Sequence, residues 1–278
     1  MNGTIDALTS ATLKHLREAW WDDSFTEFLA ETLGPKPGNR ILDVGCGEGL
    51  AEVAIGRLHI SQLRLVGIDL ALSKVVAARQ ETTSHNQRVG FAAADAGRLP
   101  FRDGTFDSIY CVAVLQHIED VEMAVREFAR VTAPRGRVLA VEPDNSARYG
   151  FSSTPAGRRA FELSAQFFIA LAGTRGDRSV IGPNLPGMFA RHGIEPLDVR
   201  LFPVSQTWLG APAEPVWQAR RHAIEDALTH ARSDAASWLG REYLDVLTTY
   251  EKEARDAGPA FVEIQNTMLF ATVGQKPV

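Results

Sequence analysis

Between residues 40 and 143 the spacing of apolar positions switches repeatedly between two periods. Short apolar runs at about 40–45, 64–69, 88–93, 105–112 and 136–142 are bounded by glycine, proline or charged residues and read as buried strands. Between them, near 48–58, 71–83 and 119–131, apolar residues recur at helical spacing. The last of these carries Val121, Ala124, Val125, Phe128 and Ala129 on one face with charges opposite, the pattern of an amphipathic helix. Strand and helix in alternation predict a doubly wound parallel sheet. In such sheets ligands bind beyond the carboxyl ends of the strands, where Asp43, Asp69, Asp95, Tyr110 to Ala113 and Glu142 fall.

The first strand runs into Ile41-Leu42-Asp43-Val44-Gly45-Cys46-Gly47-Glu48-Gly49. An apolar run ending in an acid and alternating glycines is a strand turning sharply into a helix. Glycine accepts positive φ, and its missing Cβ lets a ligand lie against the backbone. The next run, Val66-Gly67-Ile68-Asp69, ends in an acid where a ribose diol needs a hydrogen-bond acceptor. An adenosine-containing cofactor follows from the pair. A dinucleotide fingerprint would place a small residue where this chain has Leu50, and Asp43 suits a pyrophosphate poorly. A carboxylate at that point suits a cationic amino-acid end, such as that of S-adenosylmethionine.

This segment resembles motif I of the class I S-adenosylmethionine-dependent methyltransferases. Further segments carry the resemblance on: Phe91-Ala92-Ala93-Ala94-Asp95-Ala96-Gly97-Arg98-Leu99-Pro100-Phe101, then Phe106-Asp107-Ser108-Ile109-Tyr110-Cys111-Val112-Ala113-Val114-Leu115-Gln116-His117-Ile118, then Val131 to Pro143. The last resembles the family's L-x-P-G-G turn and fifth strand, with Thr132 in place of leucine and Arg135 in place of the first glycine; neither departure touches the cofactor. The motifs span residues 40–143 and point to the small-molecule branch that includes the ubiquinone/menaquinone-biosynthesis type enzymes.

The resemblance implies an α/β fold, a doubly wound seven-stranded Rossmann-like sheet with five parallel strands and a C-terminal antiparallel pair. Residues 193–204 and 261–273 alternate as strands and would be that pair; helical patterns at 214–230 and 234–256 separate them, too long a connection for a hairpin. The expected organisation is an N-terminal helical cap over 1–38, a cofactor-binding core over 39–143, a lid insertion over 144–192, and the last strands over 193–278 with an insertion at about 205–260. The cap pattern has Leu8, Leu13, Leu16 and Trp20, then Phe25, Phe28, Leu29 and Leu33; the lid has Phe161, Leu163, Phe167, Phe168 and Leu171. The family's motifs place Asp43, Gly45, Cys46, Gly47, Gly49, Asp69, Leu70, Asp95, Ala96, Val112 and His117 at the cofactor, with Asp69 on the ribose and Asp95 on the adenine amine. Asp43 could meet the ammonium directly, through water, or by orienting the glycine turn.

Composition narrows the partners. A formal net charge of −5 leaves no basic surface for phosphate backbones, which argues against a nucleic-acid substrate. The N-terminus lacks the basic and apolar regions of a signal peptide, and no apolar run approaches the roughly 20 residues of a membrane span, so a cytoplasmic protein is expected. Cys46 and Cys111 read as small packing residues. A homodimer is compatible with the sequence.

Several side chains carry two readings. His117 could take a proton from the acceptor, or pack beside the cofactor and cap the next helix. Glu142 and Asp144 could face the substrate; with His117 they are too few convergent oxygens for a divalent metal, and none is expected. Tyr149, Phe151, Phe161, Phe167 and Phe168 could line an acceptor pocket or form the lid's own core. Arg158-Arg159 and Arg220-Arg221 read as solvated helix faces, though one pair could meet an anionic substrate group, and Trp20-Trp21 reads as a staple for the N-terminal helix rather than a stack on a substrate. The expected activity is in-line methyl transfer to oxygen or carbon of a partly apolar small molecule, aided by proximity and exclusion of water. The alternatives are a non-catalytic cofactor-binding or partner subunit and a nicotinamide-dependent oxidoreductase.

Overall fold

The computed structural model describes residues 23–85, 88–172 and 180–278. The helix expected over Leu8 to Trp20 and the Trp20-Trp21 staple lie outside the described residues. Seven strands form one sheet in the order β3-β2-β1-β4-β5-β7-β6. They are β1 (Arg40–Val44), β2 (Arg64–Asp69), β3 (Val89–Ala93), β4 (Phe106–Val112), β5 (Thr132–Ser152), β6 (Glu195–Leu209) and β7 (Val262–Gln275). The first five pair in parallel. β7 runs antiparallel to β5, as the backbone bonds from Arg135 N–H to the Lys276 carbonyl and from Ser153 N–H to the Val262 carbonyl show. The strand order reverses between β1 and β4, which is where a doubly wound sheet opens a ligand crevice.

The helices are α1 (Asp23–Leu33), α2 (Leu50–Gly56), α3 (Leu72–Ser84), α4 (Val121–Val131), α5 (Pro155–Ala172), α6 (Ile181–Arg191), α7 (Glu214–Thr229) and α8 (Asp234–Ala257). Chain contacts separate two compact units, and β5, β6 and β7 each contribute residues to both. The first unit holds the described residues of 19–143, 181–202 and 269–278. Its larger core sets Leu42, Val44, Ile109, Cys111, Val138 and Ala140 of the sheet against Ala124, Val125 and Phe128 of α4 and Leu185 and Phe189 of α6. α4 starts where Asp120 accepts a hydrogen bond from the Met123 N–H at 2.9 Å, and its buried positions repeat at helical spacing.

α6 falls in the stretch whose pattern pointed to a lid, yet it packs into this core. Pro183, Pro186, Gly182 and Gly187 hide its periodicity. One of those glycines has a packing reason: a Cβ on Gly182 would lie 2.7 Å from the Glu142 carbonyl oxygen and 2.8 Å from Phe270 Cβ.

The second unit holds the described residues of 144–180 and 203–268. α5, α7 and α8 bury Leu163, Phe167, Trp217, Ile224, Leu247, Tyr250 and Phe261 together. Phe167 is therefore part of that unit's core, whereas Tyr149, Phe151 and Phe168 are exposed. The reading of Arg220 as a solvated residue is corrected. Its guanidinium lies 4.9 Å from the Trp208 ring centre and 4.7 Å from that of Trp217, and it bonds both oxygens of the fully buried Glu263. Arg221 pairs with Glu214 and Glu251.

Candidate functional site

Three acids stand at the carboxyl ends of the first three strands: Asp43 within β1, Asp69 closing β2, and Asp95 just past β3. Between β1 and α2 the chain turns through Gly45, Gly47 and Gly49 at φ of 80°, 54° and 85°, all in the left-handed region. The N–H groups of Gly45 and Cys46 both donate to the Ile68 carbonyl, at 2.7 and 2.8 Å, which fastens the turn to β2. A Cβ on Gly45 would meet Val114 Cγ2 at 2.3 Å. Asp69 completes the fastening: one carboxylate oxygen accepts from Gly47 N–H at 3.1 Å and the other from Ala71 N–H at 2.9 Å. The acid expected at a ribose thus also organises the glycine turn beside it. Leu70, next in the chain, is exposed.

Asp95 is exposed, and its Oδ1 accepts from Gly97 N–H at 2.8 Å. It therefore caps the Ala96-Gly97 turn; a carboxylate has lone pairs enough to accept from a ligand amine as well. Asp43 is buried, and its row across the sheet is informative. It pairs with Gly67 of β2 on one side and Tyr110 of β4 on the other. Cys46 is buried too; burial, with the charges of Asp43, Glu52 and Asp69 added, pushes its thiol far up. It is no nucleophile at neutral pH.

At the end of β4, Val112 is half-buried and Ala113 adopts φ 55°. That strained residue opens a turn whose N–H groups converge on Glu142. Val114 and Leu115 N–H both donate to its Oε1 at 2.8 Å, and Gln116 N–H reaches Oε2 at 3.4 Å. Glu142 is fully buried. The expectation that it faces a substrate is corrected: it holds the β4 turn from beneath. His117 ends the short 3-10 turn Leu115–His117 and is exposed, with its backbone N–H bonded to the Val114 carbonyl. Sequence reasoning missed one residue altogether. Glu52 of α2 is buried beside this site, and its only signal was an acid on the helix face that should be apolar.

Among the described residues, no group of three or more histidine, cysteine, aspartate or glutamate side chains could hold a metal ion, and no helix is long and apolar enough to cross a membrane.

The switch-point turn, the strand-end acids and the strand order are those of a doubly wound, Rossmann-like sheet. Residues 42–140 match the family model of the methyltransferase domain. An O-methyltransferase of Aspergillus nomiae is 31% identical over 145 residues, which cover 47% of this chain and 64% of that protein. The 27-O-demethylrifamycin SV methyltransferase of Amycolatopsis mediterranei is 32% identical, over 48% of this chain and 53% of its own length. The chain thus spans only about half to two-thirds of these relatives. A solved structure from Bacillus halodurans C-125, assigned as a methyltransferase, shares the fold with a TM-score of 0.60 at 18% identity, over 92% of this chain and all of the other.

Proposed function

We propose that this chain transfers a methyl group from S-adenosylmethionine to an oxygen or carbon of a small, partly apolar acceptor. The observation that carries the reading is the glycine turn at the switch point of the sheet: its backbone is left-handed at Gly45, Gly47 and Gly49 and is tied by Gly47 N–H to Asp69. Bound there, the cofactor supplies an activated sulfonium methyl for in-line displacement. Asp69 accepts from the ribose hydroxyls and Asp95 from the adenine amine, while the turn through Gly45, Gly47 and Gly49 presents its backbone to the cofactor. Leu70, Ala96 and Val112 supply apolar contact around it. Asp43, being buried, acts through the turn by placing negative charge beneath the cationic end. His117, on the turn past β4, takes the acceptor proton.

Support for an oxygen acceptor comes from the relatives, two of which are named as an O-methyltransferase and a 27-O-demethylrifamycin SV methyltransferase. The methyltransferase family match weighs against the nicotinamide alternative. The quinone-biosynthesis branch inferred from the motifs remains part of the proposal.

Asp69→Asn tests the site. Cofactor affinity measured by calorimetry falls about 10- to 100-fold, the worth of hydrogen bonds to a charged acceptor. Undiminished affinity in the folded variant would remove Asp69 from the ribose. Full turnover by His117→Ala at neutral pH would remove His117 from proton transfer. Turnover of any acceptor by the wild type eliminates the non-catalytic alternative.

A further inference from the structure

Among the described residues β6 is the last strand of the sheet on its side, with β7 as its neighbour. An end strand carries a row of backbone N–H and C=O groups that the sheet itself does not take up. Pro196 and Pro203 bracket a run from Leu197 to Phe202 in which every residue keeps its N–H. That run lies wholly in the first unit.

Side chains alternate along it. Phe202 packs on Phe25 and Phe28 of α1, and the Arg200 guanidinium lies 5.3 Å from the Phe28 ring centre, so the even-numbered residues face α1. Leu197, Val199 and Leu201 alternate with them on the other side and are 51%, 40% and 52% exposed. Three large apolar side chains in a row on an end strand are a surface that folded proteins avoid unless something covers it. On the α1 side, Arg200 Nε donates to Asp198 Oδ2 at 3.0 Å, and both side chains are half-exposed.

The order Leu197-Asp198-Val199-Arg200-Leu201 is its own antiparallel complement. A second copy related by a twofold axis through Val199, perpendicular to the sheet, sets Leu197 opposite Leu201, Val199 opposite itself, and Asp198 opposite Arg200 on both sides of the axis. An axis through residue 198 or 200 would instead set two aspartates or two arginines opposite one another, so the charges select one register. Charges on an end strand usually oppose pairing with a copy; here their signs favour it. We propose that this edge pairs with a second copy of the chain, β6 against β6. The two sheets join into one, and the apolar side chains of both copies meet on the side away from α1. A single strand pair is a small contact among protein interfaces, so the dimer dissociates on dilution. The inference is independent of the cofactor.

The test is analytical sedimentation of the full chain over a dilution series reaching about 100 µM. The wild type is expected to move from a mass of 30.4 kDa toward twice that value as concentration rises. Asp198→Arg and Arg200→Asp each put like charges opposite one another and weaken the dimer by about tenfold or more, with the fold checked by circular dichroism. Mixed in equal amounts, these two variants regain the dimer, because each supplies the charge that the other has lost. A dimer through any other surface would show no such recovery. Should either variant lose its fold, Val199→Asp replaces it: two acids then face each other on the axis, and the dimer is lost. A wild type that stays monomeric throughout overturns the inference. So does a dimer that the single variants leave intact, or a mixture that stays monomeric.

Discussion

Buried acids under a site are set apart by what surrounds each. Glu142 is surrounded by donors, three backbone N–H groups of the β4 turn, and works as their anchor. Glu142→Ala leaves those donors inside the protein without an acceptor and is expected to cost about 3 kcal/mol in denaturant unfolding. Glu52 is fully buried near Asp43, and the sign of its effect is opposite to that of a carboxylate held by donors. Its folded form holds a proton that the unfolded chain gives up in the usual carboxylate range. Wild-type stability without cofactor is therefore highest, in this term, below that range, and falls as pH rises toward the raised folded value. The slope reaches about 1.4 kcal/mol per pH unit while only the folded form is protonated. Glu52→Gln removes that slope, which melting curves over a pH series would reveal. Neither role was legible from the sequence. Asp43 and Asp69 announced themselves by sitting at strand ends in a glycine pattern, whereas the residues beside Glu52 and the donors to Glu142 come from other parts of the chain.

The parallel strands and the helices between them were legible because each buries one face or both, and burial writes its period into the chain. Two elements were less so. α6 contains two prolines and two glycines within 11 residues. β5 extends through Ala133 to Gly136, where its register with β4 slips: Phe106 pairs with Thr132, but Ser108 pairs with Arg137. The slip accommodates the turn at Arg135, which adopts φ 63° where the resembling motif has glycine. A left-handed conformation costs a residue with a Cβ about 1–2 kcal/mol, so Arg135→Gly is expected to stabilise the chain by about 1 kcal/mol. Denaturant midpoints would show the gain, and a loss would mean that the Arg135 side chain contributes more than its strain.

On the scale of the whole molecule, the first unit followed from motif and periodicity together, and the second followed only as helices. Arg220 shows why. Its partner Glu263 lies 43 residues away, and of the two tryptophans that flank its guanidinium only Trp217 is on its own helix, Trp208 coming from β6. The pair with Glu263 leaves no mark in the local sequence. The acceptor is illegible for a related reason, since specificity depends on side chains that converge only after folding. The claim on which the functional account turns is that the glycine turn holds S-adenosylmethionine. Calorimetric titration of the purified chain with S-adenosylhomocysteine, with reduced nicotinamide cofactor as control, tests it most directly. Saturable binding of the first and none of the second is the predicted result; binding of the nicotinamide cofactor, or of neither, would contradict it.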